Sequence, residues 1–290
     1  VYLVTGATGS LGRRVVKLLR ERGLPVRAFV RLTSHYKDLE EQGAEIFVGD
    51  LKREKDIQKA CSQVRYIISA HGSGDDPQAI TYRANIELID QAQEKGIEHF
   101  VYISVLGVDR GYEESPTFKA KWEVEKYLKN KRVPYTILRP GGFANNLLPL
   151  AKRFRDTGIY LLIGEARNRT STVSTDDLAK IAIDSTQVEA AKNQTFAVGG
   201  PEVLKREDIA HIFGRVFNHE PIIINPPLAL FDTVRDGIGF FNPELKKSLA
   251  TLRTLLAHEF FCTPEEVAQI ESVYNMKMES LESFIKRYLA

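Results

Sequence analysis

Cysteine is nearly absent: Cys61 and Cys262 are the only two in 290 residues, far apart and in no C-x-x-C pair. That excludes a disulfide framework and a thiolate zinc site, and fits reduced thiols in an intracellular protein. The six histidines (35, 71, 99, 211, 219 and 258) fall at no metal-ligand spacing, so no metal is expected. No G-x-S-x-G elbow occurs, which removes the commonest hydrolase signature. No apolar run approaches the roughly 18 residues a transmembrane helix needs. Neither sign of charge dominates: 40 Lys+Arg against 38 Asp+Glu leave +2, which argues neither for nucleic acid nor for an anionic membrane, and no nucleic-acid partner is expected. Repeats and low-complexity segments are missing too. The chain opens at Val1 inside a strand-like run with no initiator methionine, so removed upstream residues are expected, a targeting segment among the candidates.

What is present is a rhythm. VYLVT (1–5), VRAFVR (26–31), EIFVGD (45–50), RYIISA (65–70), HFVYIS (99–104) and YTILRP (135–140) read as strands, several apolar on successive residues as strands buried on both faces should be. Helical stretches lie between them: Leu11–Arg22 closed by Gly23, Tyr36–Gln42 closed by Gly43, Gln78–Lys95 closed by Gly96, and the helix that opens with SPTFKAKWEVEKYL (115–128). This alternation predicts an α/β protein with a doubly wound parallel sheet. Residues 1–140 form its dinucleotide-binding domain, completed by a returning helix near 175–187. Residues 141–290 form mainly a smaller, mostly helical lobe for substrate or partner. There Thr263-Pro264-Glu265-Glu266 is a helix start: Thr caps, Pro takes the first position and Glu266 reaches back. The aromatic-rich stretch 226–241 reads as lobe core, pocket wall or docking surface.

TGATGSLGRR (Thr5 to Arg14) follows the first strand and opens the first helix. Gly6 permits a tight turn, Gly9 lets backbone approach a diphosphate, and Gly12 lets helix and strand pack closely. The phosphates would sit on the amides of the helix start, around Thr8, Ser10 and Leu11. At the end of the second strand, where an NAD site carries an acid, this chain has Phe29-Val30-Arg31, with no acid before Asp38 and with Arg13 in the loop. A guanidinium suits a ribose 2′-phosphate, so NADP(H) is expected over NAD(H). The plainer reading of Arg31 is a solvated strand-end residue.

Together with GDL at 49–51, SAHGS at 69–73, Asn85, ISVLG at 103–107 and RPGGF at 139–143, these residues resemble an atypical short-chain dehydrogenase/reductase with a Rossmann sheet, closest to the NmrA-like branch. The resemblance is strong to about Phe143 and loose beyond. It implies that Asp50 and Leu51 flank the adenine, that Ala70, His71 and Gly72 line the cofactor, and that Pro140, Gly141 and Phe143 border the nicotinamide. The branch includes reductases of aromatic and pigment substrates, redox-sensing regulators, and assembly factors of photosynthetic complexes. The segment from about Leu252 to Leu289 is similar to versions from photosynthetic lineages. The implied compartment is therefore the cytoplasm or the plastid stroma.

In catalytic members a Ser, a Tyr and a Lys act together, the lysine holding the nicotinamide ribose and lowering the tyrosine pKa. Here Ser104 and Lys121 match, while Thr117 stands in the tyrosine's place, thirteen residues after Ser104 and four before Lys121. An aliphatic hydroxyl is far too weak an acid for that role. A positioned general acid contributes about 10²–10⁴-fold, and holding donor against acceptor can supply more, so its loss slows chemistry without forbidding it. Tyr112 and Lys119 are substitute proton donors, with loop aromatic and solvated lysine as their plainer readings. Two functions follow: an NADP(H)-dependent reductase of a small hydrophobic or conjugated molecule, or a non-catalytic NADP(H)-binding sensor or assembly factor acting through a protein partner. The surviving Ser104 and Lys121 tip the expectation toward the enzyme.

Overall fold

A computed structural model describes residues 1–72, 76–112, 114–233 and 243–289, the side chains of 243–248 excepted. Ser73 of the SAHGS stretch and 234–241 of the aromatic-rich stretch lie outside the described residues. The chain divides into two compact units: Val1–Gly111 with Pro116–Arg139 and Thr175–Phe196, and Tyr112–Ser115 with Pro140–Ser174 and Ala197–Ala290.

The first unit carries strands β1 (Tyr2–Thr5), β2 (Val26–Val30), β3 (Glu45–Val48), β4 (Tyr66–Ser69), β5 (His99–Ile103) and β6 (Tyr135–Pro140). A later strand, Gln194–Val198, extends the sheet beside β6, giving the order β3-β2-β1-β4-β5-β6 and then 194–198. β1 to β6 pair in parallel. The added strand runs the same way, since Asn193 N–H bonds Tyr135 O at one end and Gly141 N–H bonds Val198 O at the other. This is the doubly wound order, whose switch point lies between β1 and β4. Central β1 and β5 are buried at every position, while edge strand β3 is buried at none, as their apolar runs require.

Helix α1 (Ser10–Glu21) lays Leu11, Gly12, Val15, Val16 and Leu19 on the sheet. Gly23, Gly43 and Gly96, each just past a helix, adopt φ of +70°, +82° and +64°, the left-handed turn that glycine makes at least cost. After α2 (Lys37–Glu41) comes a helix that periodicity did not announce, α3 (Glu54–Ala60), which buries only Ile57 and Ala60. The expected single helix Gln78–Lys95 is a π-helical turn, Pro77–Arg83, leading into α4 (Ala84–Glu94). There the His71 and Asn85 side chains take the carbonyls of Ile80 and Thr81 in the widened turn. α5 (Pro116–Lys129) presents Phe118, Lys121, Val124, Glu125 and Leu128 inward at 3–4-residue spacing. Tyr127 packs against this core and donates its hydroxyl to Asp90, and Trp122 is half-buried with Lys126, Lys129 and Arg139 about its ring. The returning helix is α6 here (Thr175–Asp184), packed on α1.

The second unit has its own core of Phe154, Tyr160, Phe213, Phe284, Ile285 and their neighbours. It is less purely helical than composition suggests: Gly142–Phe143 pairs with Thr172–Val173, Arg169–Thr170 with Leu204–Lys205, and Ile159–Leu161 with Ile222–Ile224. Thr263 does cap the helix Pro264–Tyr274, in a reciprocal box with Glu266.

Candidate functional site

The glycine loop is a turn with little room for side chains. Gly9 N–H closes onto Gly6 O at 2.9 Å, and the first bond along α1 runs from Arg13 N–H to Gly9 O at 3.0 Å. The amides of Ser10, Leu11 and Gly12 precede that bond, no side chain among the described residues caps the helix, and no acid stands in its first turn. A Cβ on Gly12 would lie 2.0 Å from Gly6 O, and one on Gly6, at φ +71°, would meet the Ala70 carbonyl at 2.7 Å. Close-packed glycines beneath uncapped amides form a cradle that suits a diphosphate, and so the residues present fit a dinucleotide.

Two arginines flank this cradle in different states. Arg13 is bound through each of its three nitrogens: Nε to Thr8 O at 3.0 Å, and the terminal nitrogens to the Asp38 carboxylate and to His35 O. The guanidinium holds the Asp38 carboxyl below its usual range. Arg31 is exposed and, among the described residues, its guanidinium has no acceptor. Asp50 accepts from Lys52 N–H at 2.9 Å, and Leu51 packs half-buried against the core.

Past β4, Ala70 N–H bonds Thr5 O at 3.2 Å and continues the sheet. His71 is turned inward. Its Nε2 lies 3.0 Å from both the Ile80 carbonyl and Asn85 Nδ2, and its Nδ1 lies 2.7 Å from the Thr5 hydroxyl. Ser69 and Asn85 complete the network, Ser69 Oγ donating to Asn85 Oδ1 at 2.6 Å. Burial, then the Lys121 charge, push the imidazole down to about 4, so the ring is neutral. The His71 ring is committed to the interior, so any place for His71 along a cofactor rests on its backbone, and Gly72 beside it is exposed.

The corner between β5 and α5 holds the other expected residues. Lys121 Nζ donates to Ile103 O at 2.7 Å and sits 5.3 Å from the Tyr102 ring centroid. Burial pushes it down to about 8, against the opposing pull of Glu125. Thr117 is half-buried one helical turn earlier, so it shares the Lys121 side of α5. Ser104 is 4% exposed, and its hydroxyl donates to Glu125 Oε1 at 2.5 Å. Its one proton is thus spent on Glu125. Glu125 has no exposure; Arg139 Nη2 meets it at 2.7 Å, and Arg139 Nη1 reaches Asp109 at 2.7 Å. Two residues missed from sequence, Glu125 and Arg139, therefore organise the corner.

Of the substitute donors, Lys119 is exposed on α5. Tyr112 belongs to the second unit, its ring 4.7 Å from His258 and 5.6 Å from Phe260. Tyr102 brings a phenol to the Lys121 corner, but its hydroxyl is fully buried without a partner among the described residues, and burial, then Glu125, raise its pKa well above 10. Of the residues expected to border a nicotinamide, Pro140 is buried, Gly141 is bonded to Val198, and Phe143 is half-buried in the pair with Thr172–Val173.

A family profile described as NAD(P)H-binding matches residues 6–189. The chain is 27% identical to the Photosystem II assembly factor Ycf39 of Cyanophora paradoxa, over 99% of this chain and 92% of that protein. It is 29% identical to the NAD(P)H azoreductase of Xenophilus azovorans, over 72% and 71% of the two chains. Among solved structures, the NADPH-dependent quinone oxidoreductase QOR2 of Escherichia coli, complexed with NADPH, superposes with a TM-score of 0.80 at 20% identity over 100% of both chains. Among the described residues, no helix is long and apolar enough to cross a membrane.

Proposed function

Since the chain belongs to the NAD(P)H-binding family, we propose that it holds NADP(H) as a ligand and acts through a protein partner, as an assembly or redox-responsive factor, without reducing carbonyl compounds. The observation that carries this reading is the Ser104–Glu125 bond. With that proton committed and Thr117 in the phenol's place, the corner keeps neither donor that would polarise a carbonyl oxygen. Glu125 cannot release the serine cheaply, because it would then be a buried carboxylate short of a bond.

The cradle is intact by contrast. The amides of Ser10, Leu11 and Gly12 would hold the diphosphate, Asp50 and Leu51 would flank the adenine, and Ala70 and Gly72 would border the chain of the cofactor. Lys121 would hold the nicotinamide ribose, with Pro140, Gly141 and Phe143 beside the nicotinamide. Arg31, exposed and without an acceptor among the described residues, supports NADP(H) over NAD(H). When bound, the dinucleotide supplies hydride or responds to the cell's redox poise. Likeness to a Photosystem II assembly factor along nearly the whole chain supports a protein partner and a plastid or other photosynthetic-cell compartment.

A second reading rests on Lys121. A buried amine pushed down to about 8 can give up a proton near neutral pH, which suits reduction of a conjugated or azo bond and agrees with likeness to an azoreductase. One assay separates the readings: bind NADPH by fluorescence, then follow its oxidation with aldehyde, quinone, enone and azo acceptors. Binding without turnover is expected. Aldehyde reduction at about 1 s⁻¹ or faster, an ordinary enzymatic rate, would sink the first reading. Azo or enone turnover lost in Lys121→Met would establish the second.

A further inference from the structure

We propose that Asp38 is a specificity-determining residue, which weakens the preference of this loop for a phosphorylated ribose by holding Arg13 as its counter-ion. The inference rests on the reading of the glycine loop as a dinucleotide cradle and goes beyond it. Arg13 follows the last glycine of that loop directly, and each of its three guanidinium nitrogens makes a bond: Nε to Thr8 O, and the terminal nitrogens to the Asp38 carboxylate and His35 O. Its charge is therefore aimed along the segment joining β2 to α2, where Arg31 also stands, its own guanidinium without an acceptor among the described residues.

An arriving 2′-phosphate carries about two negative charges at neutral pH. At this edge it meets Arg31, whose guanidinium has no acceptor among the described residues, and Arg13, already neutralised by a carboxylate. It must share Arg13 with Asp38 or displace it. The pair is well enough exposed, at 33% and 46% of the two side chains, to exchange partners without unfolding anything. A 2′-hydroxyl brings no charge to compete with, so NADH binding should be indifferent to the pair. Asp38 thus stands where it narrows the gap between the two coenzymes without contributing a contact of its own to the phosphate.

The test is Asp38→Asn, which keeps shape and removes charge, titrated with NADPH and with NADH, alongside wild type and Asp38→Glu. The expected result is NADPH binding tightened about three- to tenfold in Asp38→Asn, NADH within twofold of wild type, and a steeper salt dependence for NADPH only. Asp38→Glu, which restores the charge, should return the wild-type ratio. Equal weakening of both coenzymes would mean that Asp38 merely supports the segment, and an unchanged ratio would mean that Arg13 never competes; either result overturns the proposal while leaving the cradle standing. Wild-type protein that binds neither coenzyme would remove the cradle reading itself, and this inference with it.

Discussion

The glycine loop and the Ser104–Lys121 corner belong to one sheet, yet they treat their polar groups in opposite ways. At the loop, helix α1 begins without a cap and Arg31 points to solvent without an acceptor among the described residues. At the corner, Ser104 and Arg139 both bond the buried Glu125, and Lys121 gives a bond to the Ile103 carbonyl. Unspent donors cost little where water covers them and are available to a ligand. Donors spent inside hold the fold and have nothing left for a substrate. Binding and stability should accordingly respond to different residues.

The largest effect is expected at the corner. Arg139→Met leaves Glu125 buried without its bidentate partner, and breaking a buried pair on one side costs roughly 3–5 kcal/mol. Urea unfolding should show the midpoint falling with the slope unchanged. A loss under about 1 kcal/mol would mean that the corner is wet and that Ser104 is free to serve a substrate after all.

Acid should find the same weakness through His71, whose ring joins the Thr5 end of the cradle to the π-helical turn. Its folded pKa of about 4 lies below the usual 6.5, so between those values the unfolded chain binds more protons than the folded one. Stability is then full above pH 6.5 and falls as pH drops toward 4, by on the order of 3 kcal/mol. His99, also buried and pushed down to about 4, adds in the same direction. Replacing His71 by Asn or Gln should flatten this part of the curve. A melting temperature level from pH 7 to pH 4.5 in the wild-type chain would count against a neutral, buried ring.

How much of this was legible in the sequence follows from the same contrast. Strands buried on both faces announce themselves by unbroken apolar runs, and β1 to β6 fall within a residue or two of where VYLVT, VRAFVR and their successors stand. The cradle was legible because glycine there answers to backbone geometry alone. α3 was not, since EKDIQKA offers two buried residues and no cap to mark its start. Glu125 and Arg139 were hidden for a different reason: a charged residue reads as solvated until a partner is known, and these two lie fourteen residues apart on different elements. One signal was available, an arginine inside the apolar strand YTILRP, which cannot be buried alone. Arg13 and Asp38 were visible as charges, but only the fold brings them together.

The smallest of these effects is also the one that most sharpens the contrast. Arg31→Asp removes a side chain that bonds nothing among the described residues, so unfolding free energy should change by less than about 0.5 kcal/mol. Binding should tell a different story. Charge-assisted bonds to a phosphate are worth about 1.5–3 kcal/mol, so NADPH affinity should fall roughly 10- to 100-fold, while NADH changes by no more than about threefold. Arg139→Met and Arg31→Asp would then form a crossed pair, one costing stability and the other costing recognition. Equal losses for both coenzymes in Arg31→Asp would mean that the guanidinium reads the shared diphosphate or nothing at all, and the preference for a phosphorylated ribose would have to come from Arg13 alone.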